Sequence, residues 1–138
     1  MLHHSLATTS IAPHLLADAP HIHRQGQLDV RIARSEAEIA AAQALRYRIF
    51  YEEMGAKPTL AMQALRRDID DYDDVCDHLL VVDHGLDGRP EVVGTYRLLR
   101  QQVAERHRGF YSAGEYDLAP LIASAGGQLL ELGRSCVH

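Results

Sequence analysis

Two opposite charges, Glu131 and Arg134, stand inside an apolar run near the end of the sequence. The run covers residues 128–137, follows the Gly126–Gly127 breaker, and has the length and composition of a buried strand. Charge in such a strand is costly unless it is paired or used for chemistry. A carboxylate can act as a general base, and a guanidinium can bind an anionic group through two parallel hydrogen bonds. A reactive site and a plain buried ion pair are both open interpretations.

Strand geometry decides whether these two charges can act together. Side chains alternate between the faces of a strand, so residues three apart point to opposite faces. A β-bulge adds one residue and reverses the alternation, and interior glycines often mark bulges. We therefore expect a bulge at Gly133 if Glu131 and Arg134 serve one site.

A second concentration of charge is the acidic run at residues 68–77, which holds six aspartates and no basic residue. It does not fit a calcium loop, because Asp73 occupies the place of the required glycine. A cationic group is expected near this run. A solvated acidic loop is the open alternative.

Arginines supply the complementary charge. Arg46 lies beside the apolar face of a predicted helix, where an arginine that only lays its stem on the core is the alternative. Arg97 lies inside a predicted strand. Counting onward from Arg97, four arginines against one glutamate give a local charge of +3, a basic surface that could dock an acidic partner through Arg100, Arg106 and Arg108.

The elements that position these residues follow from the apolar pattern. Residues 28–33 are predicted to be a strand, and a helix is predicted from the Ser35–Glu38 capping box to Gly55. The remaining predicted elements are an antiparallel hairpin of residues 78–83 and 91–100, a short helix at 117–125 and the last strand at 128–137. This order predicts an α+β domain.

Composition narrows the class of protein. The 138 residues fit one domain, 46% of them are hydrophobic, and no apolar run approaches the roughly 20 residues of a membrane span. We expect a soluble, cytoplasmic protein. The net charge of -5 argues against a general nucleic-acid binder.

The first residues and the two cysteines carry weaker signals. Residues 1–27 show no helical or strand period and are predicted to be a flexible tail, with residues 28–138 forming the domain. The irregular spacing of the tail's five histidines favours adventitious over functional metal binding. Cys76 and Cys136 are expected to be free thiols, and Cys136 to be a core strand residue rather than a nucleophile.

Taken together, these motifs resemble those of two related families. The order of Arg46, the Asp70 and Asp73 pair, Arg97, and Glu131 with Arg134 resembles that of acyl-homoserine-lactone synthases. Longer sequence motifs are similar to those of ornithine N-acyltransferases, and they lie at residues 44–56, 76–81, 93–99, 110–113 and 131–138.

The resemblance implies an N-acetyltransferase-like (GNAT) fold with a mixed, mostly antiparallel sheet and flanking helices. It implies transfer of a 3-hydroxyacyl chain from acyl carrier protein to the α-amine of L-ornithine, which forms lyso-ornithine lipid. Neither a metal nor a separate cofactor is implied, because the acyl chain arrives on the carrier protein's phosphopantetheine. The product implies peripheral contact with the inner membrane. In these roles Glu131 is the expected proton acceptor, and the expected substrate-binding residues are Arg46, Asp70, Asp73, Arg97 and Arg134.

In this fold the strand matching residues 128–137 is central, and a phosphate-binding loop and helix follow it. The resemblance therefore implies that residues 28–138 are the opening part of a longer domain and are inactive alone. Two alternatives stay open, an acyltransferase of the acyl-homoserine-lactone synthase type and a non-catalytic binding module.

Overall fold

The structure, a computed structural model, describes residues 22–85 and 87–138. Five strands form one sheet in chain order, and all four strand pairs are antiparallel. The strands are β1 (His23–Gln25), β2 (Leu28–Ile32), β3 (Asp77–Asp83), β4 (Glu91–Arg100) and β5 (Leu130–Val137). The helices are α1 (Glu36–Tyr47), α2 (Leu60–Leu65), α3 (Gln101–Arg106) and α4 (Ala119–Ser124). The predicted α+β class is confirmed.

The first helix, α1, begins where the sequence predicts. The Ser35 hydroxyl accepts a hydrogen bond from the Glu38 N–H at 3.3 Å, which satisfies a backbone donor at the helix start. The Glu38 carboxylate accepts from the Arg34 N–H at 2.7 Å and binds both terminal nitrogens of Arg31. Glu38 therefore ties the helix start to strand β2 as well as capping it.

After Tyr47 the helix widens into a π-helical turn, Arg48–Glu53. Such turns insert an extra residue into a helix and often occur at functional sites. The segment closes at Gly55, whose φ of 77° is the left-handed conformation that glycine adopts without strain. The predicted end of the helical segment is confirmed.

Two apolar clusters pack the helices against the sheet. Ala42 of α1 packs on Leu80 and Val82 of β3, and each of the three is at most 2% exposed. The second cluster consists of Leu99 from β4, Val103 and Ala104 from α3, Phe110 from the segment after α3, and Cys76, which directly precedes β3. The candidate site lies against the second cluster, because Cys76 and Leu99 also line its cavity, beside Arg97 of β4 and residues 131–134 of β5.

Three expectations need correction. His23–Gln25 pairs with β2, so the ordered domain includes residues that were assigned to the tail, while residues 1–21 lie outside the described residues. Helices α2 and α3 are unpredicted because six residues are too few to show a helical period. A 3₁₀ turn, Tyr111–Gly114, forms where the sequence predicts neither a helix nor a strand. Helix α4 falls inside its predicted range.

Strand β5 pairs with β4 and lies at the border of the described sheet. Three of its apolar side chains are exposed, Leu130 at 47%, Leu132 at 57% and Val137 at 71%. Across the described ranges, every helix is too short or too polar to cross a bilayer.

Candidate active site

The acidic run folds onto α1 and is not a solvated loop. Asp68 is 1% exposed, Asp73 is 6% exposed, and Asp77 is 5% exposed. The Asp68 N–H donates to the carbonyl oxygen of Gln43 at 3.0 Å, which joins the loop to the helix backbone. Buried carboxylates need donors, and α1 and β4 supply them.

Arg46 of α1 is the centre of the resulting network and has no exposed surface. Its Nε donates to Asp68 Oδ2 at 2.7 Å, and its Nη2 donates to Asp73 Oδ1 at 2.8 Å and to the Asp68 carbonyl oxygen at 2.6 Å. The helix adds Gln43, whose Nε2 donates to Asp73 Oδ2 at 3.2 Å. Arg46 therefore holds these aspartates from inside the fold and is not part of the cavity wall.

Arg97 of β4 completes the network from the sheet. Its Nη1 donates to Asp70 Oδ1 at 2.6 Å and to Asp73 Oδ1 at 3.2 Å. The guanidinium carbon also lies 5.7 Å from the ring centres of Tyr72 and Tyr111. Asp70 Oδ1 accepts a second bond, from the Tyr72 N–H at 2.9 Å, so Oδ1 carries both of these contacts.

The bulge expected in β5 is present. Arg97 faces Gly133 and Thr95 faces Cys136, so two residues, Arg134 and Ser135, oppose the single residue between them on β4. The left-handed residue is Arg134, with φ of 49°, rather than Gly133. This corrects the predicted position by one residue, and it places an arginine where bulges of this kind usually have glycine.

Because of the bulge, Glu131 and Arg134 line the same cavity, which has a volume of about 240 Å³. They do not pair with each other. Glu131 accepts hydrogen bonds from the Tyr111 N–H at 2.7 Å, from the Ser112 N–H at 2.9 Å and from the Ser112 hydroxyl. The interpretation as a plain Glu131–Arg134 ion pair is therefore wrong. Other residues of the cavity wall are Tyr72, Cys76, Arg97, Leu99, Tyr111 and Leu132.

Arg134 is held less tightly than the other two arginines. Its guanidinium carbon lies 5.6 Å from the Phe50 ring centre, and its Nη2 is 3.6 Å from Asp68 Oδ1 and 3.9 Å from Asp70 Oδ2. Its Nε is buried without a hydrogen-bond partner. The side chain is 27% exposed, so this arginine has unused hydrogen-bonding capacity at the cavity.

Residues 45–138 match the family model of the acetyltransferase (GNAT) domain. The chain belongs to the GNAT acetyltransferase family. The GNAT fold expected from the sequence is thus confirmed, with the sheet and helices described above.

Curated relatives give a finer comparison. The chain is 53% identical over 117 residues to the L-ornithine N(alpha)-acyltransferase of Agrobacterium fabrum and 54% identical over 117 residues to that of Rhizobium meliloti. Each alignment covers 83% of this chain and 40% of the relative. The chain therefore spans about 40% of the length of the curated relatives it matches.

Among solved structures, the acyl-homoserine-lactone synthase LasI superimposes with a TM-score of 0.50 at 18% identity. The match covers 83% of this chain and 55% of LasI. At this identity the likeness concerns the fold alone.

The network determines which groups of this GNAT domain are charged. Burial disfavours the ionised form of Asp73, but the guanidinium groups of Arg46 and Arg97 outweigh it and hold the pKa of Asp73 below its ordinary value. Burial lowers the pKa of His78, whose Nε2 lies 2.9 Å from the Asp73 carbonyl oxygen. Burial also raises the pKa of Cys136 to about 11 and that of Cys76 to about 12, so both thiols stay protonated at neutral pH.

The structure brings most of the predicted site residues together. Arg97, Glu131 and Arg134 line the cavity, and Asp70 and Asp73 bind Arg97 directly behind it. The predicted docking arginines lie elsewhere, and two of them are paired: Arg100 with Asp77 at 3.1 Å and Arg108 with Asp71 at 2.7 Å. Within residues 22–85 and 87–138, no group of three or more His, Cys, Asp and Glu side chains is arranged to hold a metal ion.

Sequence reasoning missed several participants. Gln43 stands three residues before Arg46 on α1, a spacing that places both on one helix face and could have revealed it. Tyr51, from the π-helical turn, donates its hydroxyl to Asp68 Oδ1 at 2.8 Å. The sequence around Ser112 contains no motif that indicates a role for this serine, and only the structure shows that its hydroxyl donates to Glu131.

Proposed function

We propose that this GNAT domain transfers a 3-hydroxyacyl chain from acyl carrier protein to the α-amine of L-ornithine, forming lyso-ornithine lipid. The observation that carries the proposal is the 53% identity to a relative named L-ornithine N(alpha)-acyltransferase over 83% of this chain. Because the chain spans 40% of that relative, the proposed activity is that of a protein of the relative's length.

The cavity wall and the aspartate next to it have the groups that an amino acid acceptor requires. Arg134, with its unused donors, is the proposed partner of the ornithine carboxylate, which a guanidinium binds through two parallel bonds. Asp70 engages Arg97 and the Tyr72 N–H through Oδ1, which leaves Oδ2 facing Arg134 Nη2 at 3.9 Å. Asp70 Oδ2 is therefore the proposed acceptor for an ornithine ammonium group.

Acyl transfer also requires a proton acceptor, because the α-ammonium must be deprotonated before its nitrogen attacks the thioester. Glu131 is the proposed acceptor, directly or through one water molecule. A carboxylate offers about four lone-pair positions, and the three bonds from Tyr111 and Ser112 leave room for one more donor. As the nitrogen forms the amide C–N bond, the thioester C–S bond breaks. The first ammonium proton stays with Glu131, and the second nitrogen proton goes to the departing sulfur, so that the carrier leaves as its thiol.

The thioester oxygen gains negative charge during this attack and needs hydrogen-bond donors. A bulge leaves an extra residue outside the ladder, and this one falls at Arg134 and Ser135 beside the cavity. The backbone N–H groups there are the proposed donors.

Carrier protein is proposed to dock on Arg100, Arg106 and Arg108. Arg108 and its partner Asp71 are each 64% exposed, and exposed pairs of this kind exchange partners at little cost. Arg100 is more restricted, with a side chain 22% exposed beside buried Asp77.

The test uses a chimaera of the Agrobacterium fabrum relative in which this chain replaces the matching segment. Asp70→Asn and Arg97→Ala should each lower kcat/KM for acyl-ornithine formation by about tenfold or more, because the first removes the proposed ammonium-binding carboxylate and the second removes the guanidinium that holds it at 2.6 Å. Asp74→Asn is the matched control, since Asp74 is an exposed aspartate of the same loop. Equal activity in the Asp70, Arg97 and Asp74 variants would refute the assignment of the cavity as the acceptor site.

A further inference from the structure

The 3₁₀ turn Tyr111–Gly114 binds Glu131 through three donors at once. The Tyr111 N–H donates to Oε1 at 2.7 Å, while the Ser112 N–H at 2.9 Å and the Ser112 hydroxyl both donate to Oε2. First N–H groups of a helical turn have no partner inside the turn, which explains why a carboxylate satisfies them here. The two carboxylate oxygens are therefore in different environments, with two donors on Oε2 and one on Oε1.

Two further contacts fix the turn over the sheet. Phe110, directly before it, is 6% exposed and packs with Leu99 and Cys76 in the second apolar cluster. The Tyr111 ring lies 5.7 Å from the Arg97 guanidinium and meets the Tyr72 ring edge to face at 5.4 Å. One turn thus contacts a charged residue on each of two neighbouring strands.

The strand register makes this arrangement specific. Leu99 pairs with Glu131 and Arg97 pairs with Gly133, so the Arg97 and Glu131 side chains lie on the same face, diagonally across β4 and β5. A carboxylate at this place could adopt several rotamers, since Glu131 is only partly buried. The bonds from Ser112 select the rotamer in which Oε2 carries two donors of the turn and Oε1 carries one.

We propose that Ser112 is a positioning residue for Glu131, and that it holds Oε2 so that Oε1 is the oxygen that meets the attacking amine. This inference rests on the proposed function. The same bonds would be present if Glu131 only anchored the turn. In that case, removing the Ser112 hydroxyl would reduce stability but leave the chemical step of the folded enzyme unchanged. The two roles therefore differ in their effect on kcat.

The experiment compares Ser112→Ala, Ser112→Thr and the control Ser124→Ala in the same chimaera. Ser124 is exposed, and its hydroxyl donates only to the Leu121 carbonyl oxygen, so it reports the cost of removing an unrelated serine hydroxyl. We expect Ser112→Ala to lower kcat by tenfold or more, about the range lost with a poorly placed general base, with little change in the KM for ornithine. Ser112→Thr retains a hydroxyl and should recover most of this loss, whereas Ser124→Ala should match the parent.

Hydrogen exchange at the Tyr111 and Ser112 amides provides the readout independent of activity. Exchange should accelerate in Glu131→Ala, which lacks the acceptor. Parental kcat in Ser112→Ala, or a loss that Ser112→Thr does not recover, would overturn the positioning role alone. A folded parent chimaera that forms no acyl-ornithine would overturn the proposed function and this role with it. Unchanged amide exchange in Glu131→Ala would overturn the bonding on which the inference depends.

Discussion

Replacing Arg46 by alanine should destabilise the fold far more than replacing Arg48, which follows two residues later in the π-helical turn. The side chain is fully buried and makes four hydrogen bonds, two to Asp68 and two to Asp73. Removing one partner of a buried ion pair costs about 3–5 kcal/mol, because the remaining charge is left uncompensated. Asp68 keeps the Tyr51 hydroxyl and Asp73 keeps Gln43 and Arg97, so we expect the lower end, about 3 kcal/mol.

Arg48 provides a matched control two residues further along the same helical segment. Its side chain is 37% exposed and its Nε lies 3.8 Å from Glu53, so Arg48→Ala should cost less than about 1 kcal/mol. Urea unfolding of the chain, followed by circular dichroism, measures both values. With a slope of about 1–3 kcal/mol per molar urea, the Arg46 variant should lose about 1–3 M in its midpoint.

A double variant separates a lost ion pair from lost packing. If Asp68 is destabilising without its partner, Asp68→Asn should cost less in the Arg46→Ala background than in the parent, a coupling that unrelated residues do not show. The reasoning is refuted if Arg46→Ala and Arg48→Ala are equally destabilising, since the buried network would then contribute nothing beyond a surface pair.

Two further predictions concern pH and carrier docking. Burial lowers the pKa of His78 below its unfolded value of about 6.5, so the stability that neutral His78 contributes above that pH should be lost as pH falls through the folded pKa. Between pH 7.5 and 5.5, urea unfolding should therefore show a smaller loss of stability in His78→Gln than in the parent. Equal losses in the two proteins would contradict this prediction. Neutralising Arg100, Arg106 and Arg108 together should raise the KM for acyl carrier protein in the chimaera and make that KM less dependent on salt. The exposed control Arg89→Ala should change neither quantity. If the triple variant matches the parent in both, the carrier protein docks elsewhere.

Local sequence patterns determined much of the fold. The alternation of apolar residues located β2, and two apolar runs joined by a turn signal located β3 and β4. The Ser35 cap located the start of α1. All of these signals depend on neighbours within a few residues. The charges inside the final apolar run indicated a bulge for the same reason. Helices α2 and α3 and the residue that takes the left-handed conformation were not determined locally, and the structure placed the latter at Arg134.

The partners of the charged side chains were decided only by the tertiary structure. The acidic run has six aspartates of one chemical type, and nothing in their order distinguishes buried Asp73 from exposed Asp74. The distinction arises because α1 and β4 bring Arg46 and Arg97 onto one side of the loop, across sequence separations of more than 20 residues. The Ser112 contact to Glu131 has the same origin. The sequence therefore showed that acidic and basic side chains would pair, but not which aspartate binds which arginine. That choice depended on packing, because burial and distance set the free energy of each ion pair.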